Sequence, residues 1–138
     1  MSPELYLLDT SALMALIEDE AGAERVEQDI SHGRALLPWP VMPEMYYITR
    51  REHGQAEADR RYALASKLKA QVLWGMDEPI LLTAGRLKAE QRVSFADALI
   101  AAFALRTGAT LVHKDPEYDA LADVVDMERL PCKTPQER

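Results

Sequence analysis

Glu4-Leu5-Tyr6-Leu7-Leu8-Asp9-Thr10-Ser11 is the stretch that decides the fold. A short apolar run stops at three small polar residues, and Leu13, Leu16 and Ile17 then recur at helical spacing. The pattern predicts a buried strand, a turn and a helix. Working outward, Gly22 to Ser31 carries Val26 and Ile30 four residues apart among charges, a second helix, and Ala35-Leu36-Leu37-Pro38 is a second short strand. Pro43 opens a helix through Arg51 that Gly54 closes, following the preference for Pro in the first turn and Gly after the last. Ala56 to Ala70 is amphipathic, Val72-Leu73-Trp74 is a third strand candidate, and Glu78 to Glu90 is a further helix. A helix from Ser94 to Thr107 ends at Gly108, where a left-handed residue is wanted. Thr110-Leu111-Val112 then reads as a strand, and a last strand is expected near Val124-Val125-Asp126-Met127.

Strands that alternate with helices imply an α/β fold in three α/β/α layers around a central, mostly parallel sheet. Ligands of such sheets bind beyond the carboxyl ends of the strands. At 138 residues the chain fits one domain, expected over 1–130, followed by a polar tail over 131–138. No apolar run approaches the roughly 18 to 20 residues that cross a bilayer, and the start, Met1-Ser2-Pro3-Glu4, has no basic stretch, so the expectation is a cytoplasmic protein with no membrane partner. Cys132 is the single cysteine, which rules out an internal disulfide and gives no zinc-site spacing. His32 and His53 have no ligand-like spacing either.

Four carboxylates fall at strand carboxyl ends or helix amino ends: Asp9, Glu44, Asp97 and Asp115. Each has an ordinary explanation. Asp9 fits an N-cap, Asp115 a turn beside Pro116, Glu44 a first-turn acid, and Asp97 a capping box with Ser94. Asp97 is the most telling, because from Phe95 to Leu105 every other residue is Ala, Leu, Ile or Phe. A helix apolar on nearly every side is buried, and an unpaired ionised carboxylate there costs several kcal/mol. Glu44 stands in similarly apolar surroundings, between Val41-Met42-Pro43 and Met45-Tyr46-Tyr47-Ile48. A doubly wound fold gathers all four at one edge of its sheet. Two such charges about 5 Å apart repel by roughly 3 kcal/mol at an effective dielectric of 20. A cluster of four therefore calls for a cation, and oxygen-only ligands select Mg²⁺ or Mn²⁺ over zinc.

The net charge of −7 argues against a nucleic-acid partner. Assigning Asp9, Glu44, Asp97, Asp115 and Glu117 to one metal site leaves −2, and bound cations reverse the local field. Candidates for phosphate contact are Arg50, Arg51, Arg60 and Arg61, with Lys67 and Lys69; a solvated helix face is the alternative for all six. Trp39, Met42, Met45, Tyr46 and Tyr47 concentrate apolar area that suits the core, a homodimer interface or a partner groove.

Leu7-Leu8-Asp9-Thr10-Ser11-Ala12-Leu13, Pro43-Glu44, Phe95-Ala96-Asp97-Ala98-Leu99-Ile100-Ala101 and Leu111-Val112-His113-Lys114-Asp115-Pro116-Glu117-Tyr118 together resemble the PIN-domain family, and in particular the VapC-type toxins of toxin–antitoxin pairs. The resemblance covers essentially the whole chain. It implies a PIN-like nuclease domain, Mg²⁺ or Mn²⁺ dependence, endoribonuclease activity on RNA, a homodimer and neutralisation by a small antitoxin protein. Carried over by position, Asp9, Glu44, Asp97 and Asp115 form the catalytic and metal-binding quartet, with Ser11 the small hydroxyl near the first aspartate and Glu117 as an outer acid; Thr10 or Ser11 is expected to orient a carboxylate or donate to a phosphate oxygen. Where many relatives carry Thr, Ser or Asn, this chain has His113, which leaves the hydrogen bonding next to Asp115 open. Two other readings compete. A PIN fold serving as a binding or adaptor protein keeps the acids without cutting. A phosphoacceptor receiver domain needs an acidic pair after its first strand, and only Asp9 stands there.

Overall fold

A computed structural model describes residues 4–132. The chain runs through β1 (Tyr6–Leu8), α1 (Thr10–Ile17), α2 (Ala23–Ser31), β2 (Ala35–Pro38), α3 (Val41–His53), α4 (Gln55–Ser66), β3 (Gln71–Leu73), α5 (Glu78–Glu90), α6 (Phe95–Thr107), β4 (Thr110–His113), a 3₁₀ segment (Pro116–Leu121) and β5 (Met127–Arg129). The apolar runs become strands because both faces of the sheet are covered by helices, so no alternation with polar residues is needed. Leu7, Leu8, Leu37, Leu111 and Val112 are all fully buried. Every pairing is parallel, in the order β3-β2-β1-β4-β5.

That order places the site. The chain leaves β1 toward β2 and β3 on one side, then returns to build β4 and β5 on the other. The strand order therefore reverses between β1 and β4, and a crevice opens at their carboxyl ends. Leu8 pairs with Val112 in the register, so Asp9 and Asp115 leave adjacent strands at the same edge.

α6 buries eight consecutive residues, Asp97 to Ala104, as its apolar sequence requires. Ser94 Oγ accepts the Asp97 N–H at 3.1 Å, and Gly108 ends the helix at φ 74°. α3 begins at Val41, two residues before the expected Pro43, which still falls in the first turn, where its missing N–H leaves nothing unpaired. α4 stops at Ser66 and not near Ala70, since Lys67 and Leu68 donate to carbonyls only three residues back and the chain turns into β3. The last strand is Met127–Arg129. Val124 and Val125, expected to begin it, instead donate to the Leu121 carbonyl and close the 3₁₀ segment, with Val125 buried. Arg25 joins α2 to β5 through Glu128, at 2.9 and 3.0 Å, and also pairs with the buried Asp29. Among the described residues no helix is long and apolar enough to cross a membrane, and Cys132 is free and exposed. Met1–Pro3 and residues 133–138 of the expected polar tail lie outside the described residues.

Gly22 caps α2 at φ 97°, and a Cβ there would meet Leu130 Cβ at 3.0 Å. Gly33 has φ 69° with nothing within 4 Å of an added Cβ. Gly22→Ala is expected to lower stability by about 2 kcal/mol or more, and Gly33→Ala by about 1 kcal/mol. Urea unfolding midpoints of the two variants check this; equal losses would mean that Leu130 yields without penalty.

Candidate functional site

Asp9 is the first residue beyond β1. Its N–H still joins the sheet by donating to the Val112 carbonyl at 3.1 Å, and its carboxylate turns back to cap α1, with Oδ1 accepting the Ala12 N–H at 2.8 Å and the Ser11 hydroxyl at 2.7 Å. The capping explanation therefore holds for Asp9. Ser11 Oγ in turn accepts the Lys114 N–H at 2.8 Å, which fastens the start of α1 to the end of β4. Asp9 is 2% exposed, and burial above all pushes its carboxyl from 3.8 to about 7, with the charges of Asp97 and Asp115 adding to the rise.

Thr10 donates from Oγ1 to Glu44 Oε1, so the first turn of α1 holds the acid presented by the first turn of α3. Asp97 enters from α6, 8% exposed. Its carboxyl is raised to about 6, chiefly by burial and further by Asp115 and Glu44, against hydrogen bonds from Tyr118 and Ser94 that lower it. Asp115 caps the 3₁₀ segment, its Oδ1 accepting the Glu117 N–H at 2.9 Å.

Asp9, Thr10, Ser11, Glu44, Ser94, Asp97, Asp115 and Glu117, with Met14 and Ile48, line one pocket of about 270 Å³. All four expected acids and the three expected supporting residues are thus brought together. One carboxylate oxygen each of Asp97, Asp115 and Glu117 lies within 4.8 Å of the others. Glu117, expected at the periphery, falls within this compact trio, while Asp9 and Glu44 form the adjoining wall. The donor set fits a hard divalent cation: it is all oxygen, it converges, and two of its members are held above their ordinary pKa by burial and mutual repulsion, a strain that a cation relieves.

The arginines lie elsewhere, and none lines the pocket. Arg50 and Arg51 are exposed on α3, with Arg51 over the Tyr47 ring at 5.0 Å. Arg60 is exposed and bound to Glu57 at 2.6 Å. Arg61 is buried, bound to Glu57 at 2.8 Å and 3.9 Å from Glu18, so it ties α4 to the end of α1.

Two residues beside the pocket complete its hydrogen bonding: His113, whose role the sequence left open, and Tyr118, which the sequence did not single out. His113 is buried, burial above all lowers its pKa, and Nδ1 accepts the Asp115 N–H at 3.1 Å. This is the hydrogen bonding next to Asp115 that the sequence left open. Tyr118 is fully buried and donates from its hydroxyl to Asp97 Oδ1 at 3.0 Å. A hydrogen bond between residues 21 apart has no local signature.

No curated protein matches the chain. Solved structures do. VapBC2 from Rickettsia felis bound to a DNA fragment from its promoter superposes with a TM-score of 0.75 at 16% identity, over 92% of this chain and 99% of that one. VapC20 from Mycobacterium tuberculosis, described as a sarcin-ricin loop cleaving toxin, gives 0.69 at 18% identity over 91% and 99%. VapBC-1 from nontypeable Haemophilus influenzae gives 0.69 at 22% identity over 91% and 97%. These likenesses establish the α/β fold. The PIN domain profile matches residues 6–124, most of the chain and every acid of the pocket. On that match the chain belongs to the PIN domain family.

Proposed function

We propose that the chain is an Mg²⁺- or Mn²⁺-dependent endoribonuclease acting in the cytoplasm, the toxin of a VapBC-type toxin–antitoxin pair. The observation that carries this reading is the convergence of Asp9, Glu44, Asp97, Asp115 and Glu117 on one pocket at the sheet's switch point. The likeness to VapC20 and to several VapBC complexes supports the RNA substrate and the antitoxin partner.

Asp97, Asp115 and Glu117, whose carboxylate oxygens converge, would hold the metal, with Asp9 and Glu44 beside them in the same pocket. When bound, a divalent cation supplies Lewis acidity at the scissile phosphate and neutralises the clustered carboxylates. Ser11 and the Ala12 N–H fix the orientation of Asp9, and Thr10 fixes that of Glu44, so neither acid has to reorganise when substrate arrives. Hydrolysis by in-line attack of water leaves a 5′-phosphate and a 3′-hydroxyl.

The exposed Arg50, Arg51 and Arg60 are the proposed contacts for RNA phosphates. Arg61 is proposed with them, though its burial between Glu57 and Glu18 leaves it a smaller share. Replacing Arg50 and Arg51 together by Ala is expected to raise KM with little change in kcat. For single-stranded RNA, log K against log salt should flatten by about 0.7 per lost phosphate contact. An unchanged salt slope would remove both residues from the RNA path. A hollow of about 520 Å³ lined by Met42, Pro43, Tyr46, Tyr47, Tyr62 and Trp74 is an apolar surface available to a second copy or to the antitoxin.

Expression of the chain without an antitoxin is expected to arrest growth, and Asp9→Asn to abolish the arrest. Purified protein should cut RNA with Mn²⁺ and stop on chelation. Metal and RNA binding without any cleavage would instead favour the adaptor reading.

A further inference from the structure

The compact acidic trio comes from two elements: Asp97 from α6, and Asp115 and Glu117 from the β4 exit and the 3₁₀ segment. Among the described residues no backbone hydrogen bond joins α6 to the 3₁₀ segment, and a side-chain hydrogen bond spans the gap. Tyr118 donates it. It follows Glu117 directly, its N–H donates to the Asp115 carbonyl at 3.1 Å, and its hydroxyl crosses to Asp97 Oδ1 at 3.0 Å. The ring is fully buried, where a phenol needs a hydrogen-bond partner and a phenylalanine would fill nearly the same space without one. His113 braces the arrangement from below. Its ring lies 4.9 Å from that of Tyr118 at an interplanar angle of 53°, and its Nδ1 receives the Asp115 N–H.

We infer that Tyr118, braced by His113, is a positioning residue that holds the Asp97 carboxylate at fixed spacing and orientation to Asp115 and Glu117, and so sets the affinity of the site for its divalent cation. The inference rests on the metal-site reading above and deepens it. One Asp97 oxygen is held by a neutral donor, which stops rotation of the carboxylate at a modest loss of its negative charge. Groups that orient metal ligands in this way typically change metal affinity by about 10- to 100-fold when removed.

The test is Mn²⁺ binding by full-length wild type and Tyr118→Phe, followed by the electron paramagnetic resonance signal of the free ion, with metal-free melting recorded for both. Wild type is expected to bind saturably and Tyr118→Phe at least about tenfold more weakly, while the variant stays folded with a cooperative metal-free transition. His113→Ala should weaken binding in the same direction, by releasing the Tyr118 ring and the Asp115 N–H. Equal Mn²⁺ affinity in wild type and Tyr118→Phe overturns the inference and leaves Tyr118 a core residue. Absence of saturable binding in wild type overturns the metal-site reading beneath it. An unfolded Tyr118→Phe would show that the hydroxyl serves the fold and would likewise overturn the inference.

Discussion

Asp97→Asn should abolish metal-dependent RNA cleavage and, at the same time, make the metal-free protein melt at a higher temperature. The first effect follows from the place of Asp97 in the compact trio with Asp115 and Glu117. Removing one charged ligand takes away several kcal/mol of transition-state stabilisation, about 10³-fold in rate. The second effect has the opposite sign to the usual loss on mutating a buried polar group. The Asp97 carboxyl is raised from 3.8 to about 6, first by burial and then by Asp115 and Glu44. A shift of that size amounts to about 3 kcal/mol against the folded state once the group is ionised, as it is at pH 7.5. Asparagine is neutral, is nearly the same shape, and still offers an oxygen to the Tyr118 hydroxyl. Stabilisation of even part of that magnitude moves the melting temperature by several degrees in a domain of this size. The gain should disappear when Mn²⁺ is present, because only wild type then has the counter-charge. Calorimetric melts of both proteins, with and without Mn²⁺, check the pair of effects. Identical melting in both conditions would mean that Asp97 does not share a site with the other acids.

The metal-free protein should also lose stability as pH rises from about 4 to about 7. Asp9 and Asp97 have folded-state values of about 7 and about 6 against 3.8 for the ordinary carboxyl. Between those limits the folded chain holds protons that the unfolded chain has released, so stability falls with rising pH across the window and levels off above it. For Asp9 alone, the shift corresponds to about 4 kcal/mol at full ionisation. Glu57 acts in the opposite sense. Arg60 and Arg61 hold it down to about 2, so its contribution is present above about pH 4.5 and fades only below it. Ligands must be deprotonated to bind metal, so stabilisation by Mn²⁺ should grow over the same interval in which the metal-free protein weakens. Chemical denaturation at pH 5, 6, 7 and 8, with and without Mn²⁺, traces both curves. A metal-free stability that rises steadily from pH 5 to 8 would contradict the raised carboxyls.

Asp97 was legible because burial conflicts with charge, and the conflict is visible in one dimension: a single acid in an otherwise apolar eleven-residue stretch. β1 and the Leu111-Val112 centre of β4 were legible because the buried part of a parallel strand is apolar on both faces. The pocket could be expected from the alternation of strands and helices, since topology alone brings strand ends together. What escaped depends on long-range geometry. Arg61 sits in a basic run that reads as a solvated face, yet it is buried, paired with Glu57 on its own helix and 3.9 Å from Glu18 at the end of α1. Val124 and Val125 have strand-like sequence, but their N–H groups close the 3₁₀ segment, only Val125 is buried, and β5 starts at Met127. Glu117 looked peripheral because a 3₁₀ turn of the chain, which carries it back toward Asp97, leaves no periodic pattern.

Calorimetric titration of Mn²⁺ into the metal-free protein at pH 7.5 tests the central claim most directly, with Asp97→Asn, Asp9→Asn and the exposed Asp77→Asn as companions. Saturable binding is expected in wild type and in Asp77→Asn, and it should be lost in Asp97→Asn and strongly weakened in Asp9→Asn. Binding of equal strength in wild type and Asp97→Asn, or no saturable binding in wild type, would contradict a metal site built from these carboxylates.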